Sequence, residues 1–495
     1  MLSEERYIAK FFSTCHKNLK LENIFYKSSK KVFSYKDIQK FYKKFSSFLY
    51  KFTNERKKIA IISSKKFDLY ACILSVIVSK NIWIPINPSL PILRIKKIIE
   101  ISKPNILILE NLKEKSLANI IKICKKKNIT VTDFSNIKKI KNKKFHSERK
   151  VNSEDISMIF FTSGSTGEPK GVKINYRGFL HSMYEQKRIL FKNKKNLIFG
   201  DYHDPSFVIS LNILLLCFLT RNTIAPSTNP YDSVMPVNHM EKNKVNVLIT
   251  VPSTILRIQK YIKNQKIKNR FELVIMCGEP FHLDLYEFIL GIFKSKKIFN
   301  CYGSTELSPW VFSHECDQQQ ISKYKKYALI PIGKPFNYTK AIIRKNELLI
   351  SGKMLSSGYL VTNENKNKFI KIENQVWYKT GDLVKVHNQV FTIKGRSDRI
   401  IKVKGYRVDL LEIEKYIKDF DKNISDVISF SKNDNNENKI FSIIESEKKI
   451  STDNLVLFLK KFIPSYMIPK DFFYLKKFKT NKNGKVDRKN IIKKF

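Results

Sequence analysis

A chain of 495 residues, 42% of them apolar and 28% charged, can bury large cores, which excludes a disordered protein and suggests roughly three structural units. Its 93 Lys and Arg against 44 Asp and Glu give a formal net charge of +49. That excess invites a nucleic-acid reading. The lysines are nevertheless spread along nearly the whole chain among abundant Asn and Ile, as codon bias from an AT-rich genome produces, so no localised binding patch is implied and only a preference for an acidic partner remains.

The N-terminus, MLSEERYIAKFF, places two glutamates where a secretory signal needs positive charge and an uninterrupted apolar core. The longest apolar run, Phe207 to Leu219, is too short to span a bilayer. Seven cysteines, odd in number and with no CxxC pair, read as free thiols of a reducing compartment. His314 and Cys316 in SHEC have no second pair nearby, so no structural metal is expected. A soluble cytoplasmic protein is the resulting expectation.

In chain order, Tyr35 to Phe52 has helical spacing, Lys58 to Ser63 reads as a short buried strand, and Leu69 to Ser79 as a helix. NIWIPINPSLP, residues 81 to 91, reads as a strand entering a proline-punctuated turn, and Asn105 to Leu109 as another buried strand. Lys138 to Lys150 reads as an exposed connector. Strands are expected at Val245 to Val251, Leu273 to Cys277 and Lys297 to Tyr302, several ending in polar, Gly-containing turns where open α/β sheets place ligands. After about residue 340 short strands and turns take over. From Asp398 a smaller α+β unit is expected: a strand and glycine turn in RIIKVKGYR, a helix opened by the capping pattern Asp409 to Glu412, strands near Ser425 to Ser431 and Lys439 to Ile444, and a last helix from Asp453.

The stretch FFTSGSTGEPKGV, residues 160 to 172, carries three glycines, four hydroxyl side chains and Lys170 after an apolar run. Glycines let the backbone approach a ligand, hydroxyls and free N–H groups bind phosphate oxygens, and a lysine supplies countercharge. The spacing is not that of a Walker loop, because Lys170 follows Gly167 by three and precedes Gly171. MCGEPF (276 to 281) and NCYGSTE (300 to 306) each follow an expected buried strand and set glycine near a carboxylate. YKTGDL (378 to 383) presents Asp382 on a turn, an acceptor suited to a ribose diol; GRSDR (395 to 399) and NKNGKVDRK (481 to 489) supply cations.

Taken in order, these motifs resemble those of the adenylate-forming superfamily, which includes acyl-CoA synthetases, firefly luciferase, adenylation domains of nonribosomal peptide synthetases and D-alanine–carrier protein ligases. NELLISGKMLSSGYL (346 to 360), GRSDRIIKVKGYRVDLLEIE and FIPSYMIP (462 to 469) extend the likeness from about residue 20 to the C-terminus. The resemblance implies an α/β fold: a large N-terminal AMP-binding domain of mixed α/β sheets plus a small β subdomain, residues 1–397, and a small mobile α+β C-terminal domain, residues 398–495, hinged at Asp398. It implies ATP and Mg²⁺ as cofactors. Thr162, Ser163, Gly164, Ser165, Thr166, Gly167 and Lys170 would hold the phosphates, and Tyr302 and Gly303 the adenine beside Gly278 and Glu279. Thr305 would contact the α-phosphate, Glu306 the magnesium, Asp382 the ribose with Arg396 nearby, and Lys485 the substrate carboxylate and α-phosphate.

YHDPSFVISL, residues 202 to 211, lies where amino-acid-activating members carry an aromatic-Asp-x-Ser segment. By that resemblance Asp204 would bind a substrate ammonium, a role suited to a buried carboxylate lacking a cationic partner. The other reading of Asp204 is a cap of the following helix, with Pro205 as first helical residue. His203 would serve as the aromatic gate in place of phenylalanine, and Val208, Thr250, Ile275, Cys277, Cys301, Pro309 and Trp310 would line the pocket. Trp310 implies a small side chain. Nothing in the chain resembles a phosphopantetheine attachment site, so the expected acceptor is a separate, acidic carrier protein. The alternative is an acyl-CoA synthetase acting on an uncharged acid.

Overall fold

The computed structural model describes residues 8, 11, 21–50, 52, 55–113, 115–141, 150–163, 168–192, 194–262, 267–325, 329–434, 437–479 and 486–495. Two compact units result: Met1–Pro88, Ile99–Phe161 and Gly171–Ser397 form the first, and Ser89–Ile98, Thr162–Lys170 and Asp398–Phe495 the second. Two short earlier segments, Ser89–Ile98 and Thr162–Lys170, thus group with residues 398–495.

In the first unit, β-branched runs build parallel strands buried on both faces. Lys58–Ile62 pairs in parallel with Ile82–Ile86 and Ile106–Leu109, and the latter with Thr130–Asp133. Phe67–Val78 crosses over as a helix in which every residue but Asp68 is buried, as an all-round apolar helix requires. A nine-stranded sheet carries the parallel core order Thr223–Pro226, Ile198–Asp201, Val247–Thr250, Leu273–Cys277, Ile298–Gly303, with Trp310–Cys316 antiparallel at the end of that run. Register sets Thr250 beside Met276 and Cys277 beside Cys301. The longest apolar run forms the helix Val208–Thr220, buried throughout except for Thr220. Among the described residues no helix is long and apolar enough to cross a membrane. A third, antiparallel sheet pairs Gln375–His387 with Glu347–Gly352, Phe369–Ile372 and Val390–Arg396, setting Asp382 opposite Arg396.

In the second unit, Ile400–Val403 and Tyr406–Asp409 form a hairpin across Lys404 and Gly405, whose φ angles of 50° and 84° suit the tight turns that match strand twist. Asp409 caps the helix Leu410–Lys418, accepting from Leu411 N at 3.0 Å. Ile424–Asp434 and Glu437–Ser446 pair antiparallel over an apolar layer that includes Val427, Ile444 and Ile413.

Several expectations shift. The helix expected from Asp453 runs Thr452–Leu459 with Ser451 as its cap and is not the last element. Asp471–Leu475 follows as a strand parallel to Glu437–Ser446, and Arg488–Ile492 as a short helix. Lys138 and Lys139 of the expected connector close a helix, Phe134–Lys139, while residues 142–149 lie outside the described ones.

Candidate active site

The parallel strands of the large sheet end in the turns that carry most of the expected site. Gly278 follows Leu273–Cys277 with φ of +78°, and a Cβ there would also meet Val251 Cγ1 at 3.3 Å, so both conformation and space favour glycine. Its neighbour Glu279 accepts from Ser253 N at 2.8 Å, satisfying a first-turn donor of the helix Pro252–Tyr261, whose own N-cap Val251 has no side-chain acceptor. Gly303 closes the next strand where a Cβ would lie 1.8 Å from Pro309 O, a contact no side chain tolerates. The backbone then turns through Thr305–Leu307. Glu306 is fully buried and its Oε1 accepts from Tyr359 OH at 2.8 Å.

Tyr302, Asp382 and Arg396 come together as one cluster. Asp382 accepts from Tyr302 OH at 2.6 Å and from Arg396 Nη1 at 2.5 Å, and Arg396 Nη2 donates to Thr380 O at 3.0 Å. Burial, reinforced by the Asp382 charge, pushes the Tyr302 phenol well above its usual range, so it stays a donor. A ribose diol binding Asp382 would therefore replace a phenolic hydroxyl with its own.

The turn after Ile198–Asp201 departs from its expectation. Asp204 is half-buried; its Oδ1 accepts from Ser206 N at 2.7 Å and Ser206 Oγ at 2.8 Å, and its Oδ2 from Asn87 Nδ2. The helix begins at Val208 with Phe207 as N-cap, so neither Asp204 nor Pro205 takes the capping position considered for it. The fully buried carboxylate here is Asp201. It accepts from Tyr70 OH at 2.6 Å, Ser210 Oγ at 2.7 Å and His203 N at 3.1 Å. Lys65, also buried, donates to Asp201 O at 3.0 Å. His203 is buried and donates through Nε2 to Ile249 O at 3.2 Å; burial pulls its pKa down to about 4, so the ring is neutral at pH 7.

The expected pocket positions Val208, Thr250, Ile275, Cys277, Cys301 and Trp310 are all buried and carry no ionic charge. Cys277 Sγ donates to Thr250 O at 3.6 Å, and burial raises the Cys301 thiol well above its usual range, leaving it an inert packing group. Val208 and Pro309 share a small void of about 10 Å³ with Phe179, Met183, Asn212 and Ser308. That is roughly room for one water.

Thr162 ends the strand Ile156–Thr162, Ser163 Oγ donates to Arg407 O at 2.6 Å within the second unit, and Lys170 opens the strand Lys170–Asn175. Asp398 accepts from Ile400 N at 3.3 Å. Gly164, Ser165, Thr166, Gly167 and Lys485 lie outside the described residues. No cluster of three or more His, Cys, Asp or Glu side chains suited to a metal occurs among the described residues. A single buried carboxylate, Glu306, fits the way Mg²⁺ is held through one or two carboxylates plus substrate phosphates. Lys65, Asn87, Asp201 and Tyr359 were not anticipated. Asn87 and Tyr359 lie in the quoted stretches 81 to 91 and 346 to 360, and Asp201 stands three residues before Asp204, whereas Lys65 carried no such signal.

A family model described as AMP-binding enzyme matches residues 14–360. The D-alanine–D-alanyl carrier protein ligase of Staphylococcus epidermidis is 28% identical over 428 residues, 83% of this chain and 84% of that protein. Bacitracin synthase 2 of Bacillus licheniformis is 26% identical over 458 residues, 88% of this chain; the chain spans only 17% of that synthase. The Vibrio cholerae adenylation domain AlmE, solved with glycyl-adenosine-5'-phosphate, superposes with a TM-score of 0.83 at 18% identity, covering 100% of this chain and 98% of that one. With the family model covering well over half its length, this chain belongs to the AMP-binding enzymes.

Proposed function

We propose that this enzyme converts a small amino acid to its aminoacyl adenylate with release of pyrophosphate, then passes the acyl group to the phosphopantetheine thiol of a separate carrier protein. The observation that carries the reading is Asp204, a half-buried carboxylate held in its turn by hydrogen bonds from Ser206 and Asn87, four residues before Val208 in the chain. An ammonium is the group such a carboxylate would take up. The buried bulk of Trp310, an expected pocket position, favours a small amino-acid side chain. The likeness to a D-alanine carrier protein ligase over most of both chains supports the same class and a carrier as acceptor.

In the first step a substrate carboxylate oxygen attacks the α-phosphorus of ATP while its bond to the bridging oxygen of pyrophosphate breaks. Lys485 would offset the repulsion between these two anions, Lys170 and the hydroxyls of residues 162–166 would take up charge on the departing pyrophosphate, and Asp382 would orient the ribose. Glu306 would hold Mg²⁺, which supplies further charge neutralisation at the phosphates. In the second step the sulfur attacks the acyl carbon and AMP departs, with Asp398 as the pivot between the two steps.

One observation favours a second reading, an acyl-CoA synthetase for an uncharged acid: Lys65 already places a cation near Asp201 and Asp204. Asp204→Ala separates the two. It should abolish pyrophosphate exchange driven by amino acids if the first reading holds, and leave exchange driven by acids without an ammonium group nearly unchanged if the second does.

A further inference from the structure

Asn212 interrupts the longest apolar run of the chain, and burying an amide among Leu and Ile side chains is costly unless its groups are bonded. Its Nδ2 donates at 2.8 Å to Oε1 of Gln186, on the helix Tyr176–Leu190. Gln186 Nε2 donates at 2.8 Å to Ser182 Oγ, and Ser182 Oγ donates at 3.1 Å to Trp310 O. None of these four residues is more than 3% exposed. The chain runs in one direction, because a main-chain oxygen only accepts: the Ser182 proton is committed to Trp310, so Ser182 Oγ can only accept from Gln186, whose Oε1 is left to face Asn212. A hydroxyl inside a helix ordinarily bonds back to the carbonyl four residues earlier. Ser47, Ser75 and Thr220 do so here, donating to Lys43 O, Ala71 O and Leu216 O at 2.9, 2.7 and 2.6 Å. Ser182 departs from that pattern and crosses to another element. The bond that it accepts from Gln186 polarises its O–H and strengthens the one it donates.

We propose that Ser182, held by Gln186 and Asn212, is a positioning residue of the amino-acid pocket: its bond to Trp310 O fixes the Ser308–Trp310 segment as the wall that limits the size of the substrate side chain. Asn212 lines the void of about 10 Å³ together with Ser308 and Pro309, so both ends of the chain meet that segment. This rests on the amino-acid reading above. With the chain broken, Trp310 gives way to a larger side chain, and the pocket loses discrimination against one extra methylene.

The test is pyrophosphate exchange by the full-length protein and three variants, Ser182→Ala, Gln186→Met and the two combined. The substrates are the smallest amino acid accepted and its homologue one methylene larger, alanine after glycine or 2-aminobutyrate after alanine. The readout is the ratio of kcat/KM between the two, which a loss of folded protein alone does not move. Each single variant should lower that ratio about tenfold, equivalent to about 1.4 kcal/mol, with KM for ATP within about threefold of wild type. The combined variant should lose no more than Ser182→Ala, because both changes break one chain, whereas independent defects would multiply. A folded Ser182→Ala protein with the wild-type ratio overturns the proposal, as does a ratio that falls much further in the combined variant. If Gln186→Met fails to fold, Ser182→Ala decides alone. Exchange by the wild type only with acids lacking an ammonium group would instead overturn the amino-acid reading, and this proposal with it.

Discussion

Replacing Asp382 by asparagine probes the nucleotide end of the site with little change of shape. The carboxylate accepts at 2.6 Å from Tyr302 OH and at 2.5 Å from Arg396 Nη1, and its side chain is 12% exposed against 20% for Arg396. Hydrogen bonds to charged groups contribute about 1.5–3 kcal/mol each. Asparagine keeps one acceptor, so about one such bond is lost in the free enzyme, and the Arg396 guanidinium is left with Thr380 O. A loss of about 2 kcal/mol of stability follows, discounted for solvent at Arg396, and it should be read from urea unfolding. In the ATP complex the two ribose hydroxyls would each donate to one carboxylate oxygen, and asparagine offers a single acceptor in their place. The penalty there should be about 1.5–3 kcal/mol, a rise of roughly ten- to a hundredfold in KM for ATP with little change in KM for the acid. Tyr302→Phe removes only the donor that the ribose would displace, and should leave KM for ATP within about threefold of wild type. A folded Asp382→Asn protein with unaltered KM for ATP would refute the assignment of this carboxylate to the ribose.

His203 is neutral because burial lowers its pKa from the usual 6.5 to about 4, so the unfolded chain binds an extra proton as pH falls through that window. Stability should therefore decline from pH 6.5 towards 4 by up to about 1.4 kcal/mol per pH unit from this group, and His203→Phe should flatten urea-derived stability against pH by one proton. An unchanged slope would mean that the imidazole is charged in the folded protein. Trp310→Ala should cost about 3–5 kcal/mol of stability and admit larger amino acids, read as exchange with leucine or phenylalanine where wild type shows none. No broadening would place Trp310 outside the pocket. For an acidic carrier protein, the net charge of +49 should make kcat/KM of thioester formation fall as salt rises from 50 to 300 mM, at roughly constant kcat. A flat profile would count against electrostatic capture.

Local signals made much of the site readable. Gly278 and Gly303 stand where a largely buried strand ends, and the structure gives each a backbone or packing reason for its identity. Asp409 could be read as a cap because the donor it accepts from, Leu411 N, is two residues away in sequence. The partners that arrive from distant elements could not be read this way. Lys65 and Asn87 reach the Asp201–Asp204 turn from 136 and 117 residues earlier, and Lys65 is one lysine in a chain where that residue is spread everywhere. For the same reason the environment of Asp204 was misjudged. A motif reports that a carboxylate is present, whereas its burial and partners depend on which loops fold against it. The strand Asp471–Leu475 escaped notice because its DFFYL run, though apolar, sits between lysines and pairs with a strand more than twenty residues earlier.

The measurement that bears most directly on the central claim is ATP–pyrophosphate exchange by the wild-type enzyme across all L-amino acids, D-alanine, glycine, β-alanine and a set of aliphatic and aryl acids. A response confined to one or two small amino acids, with the matching aminoacyl adenylate detected by mass spectrometry, is the result expected. Exchange driven only by acids that lack an ammonium group would contradict it.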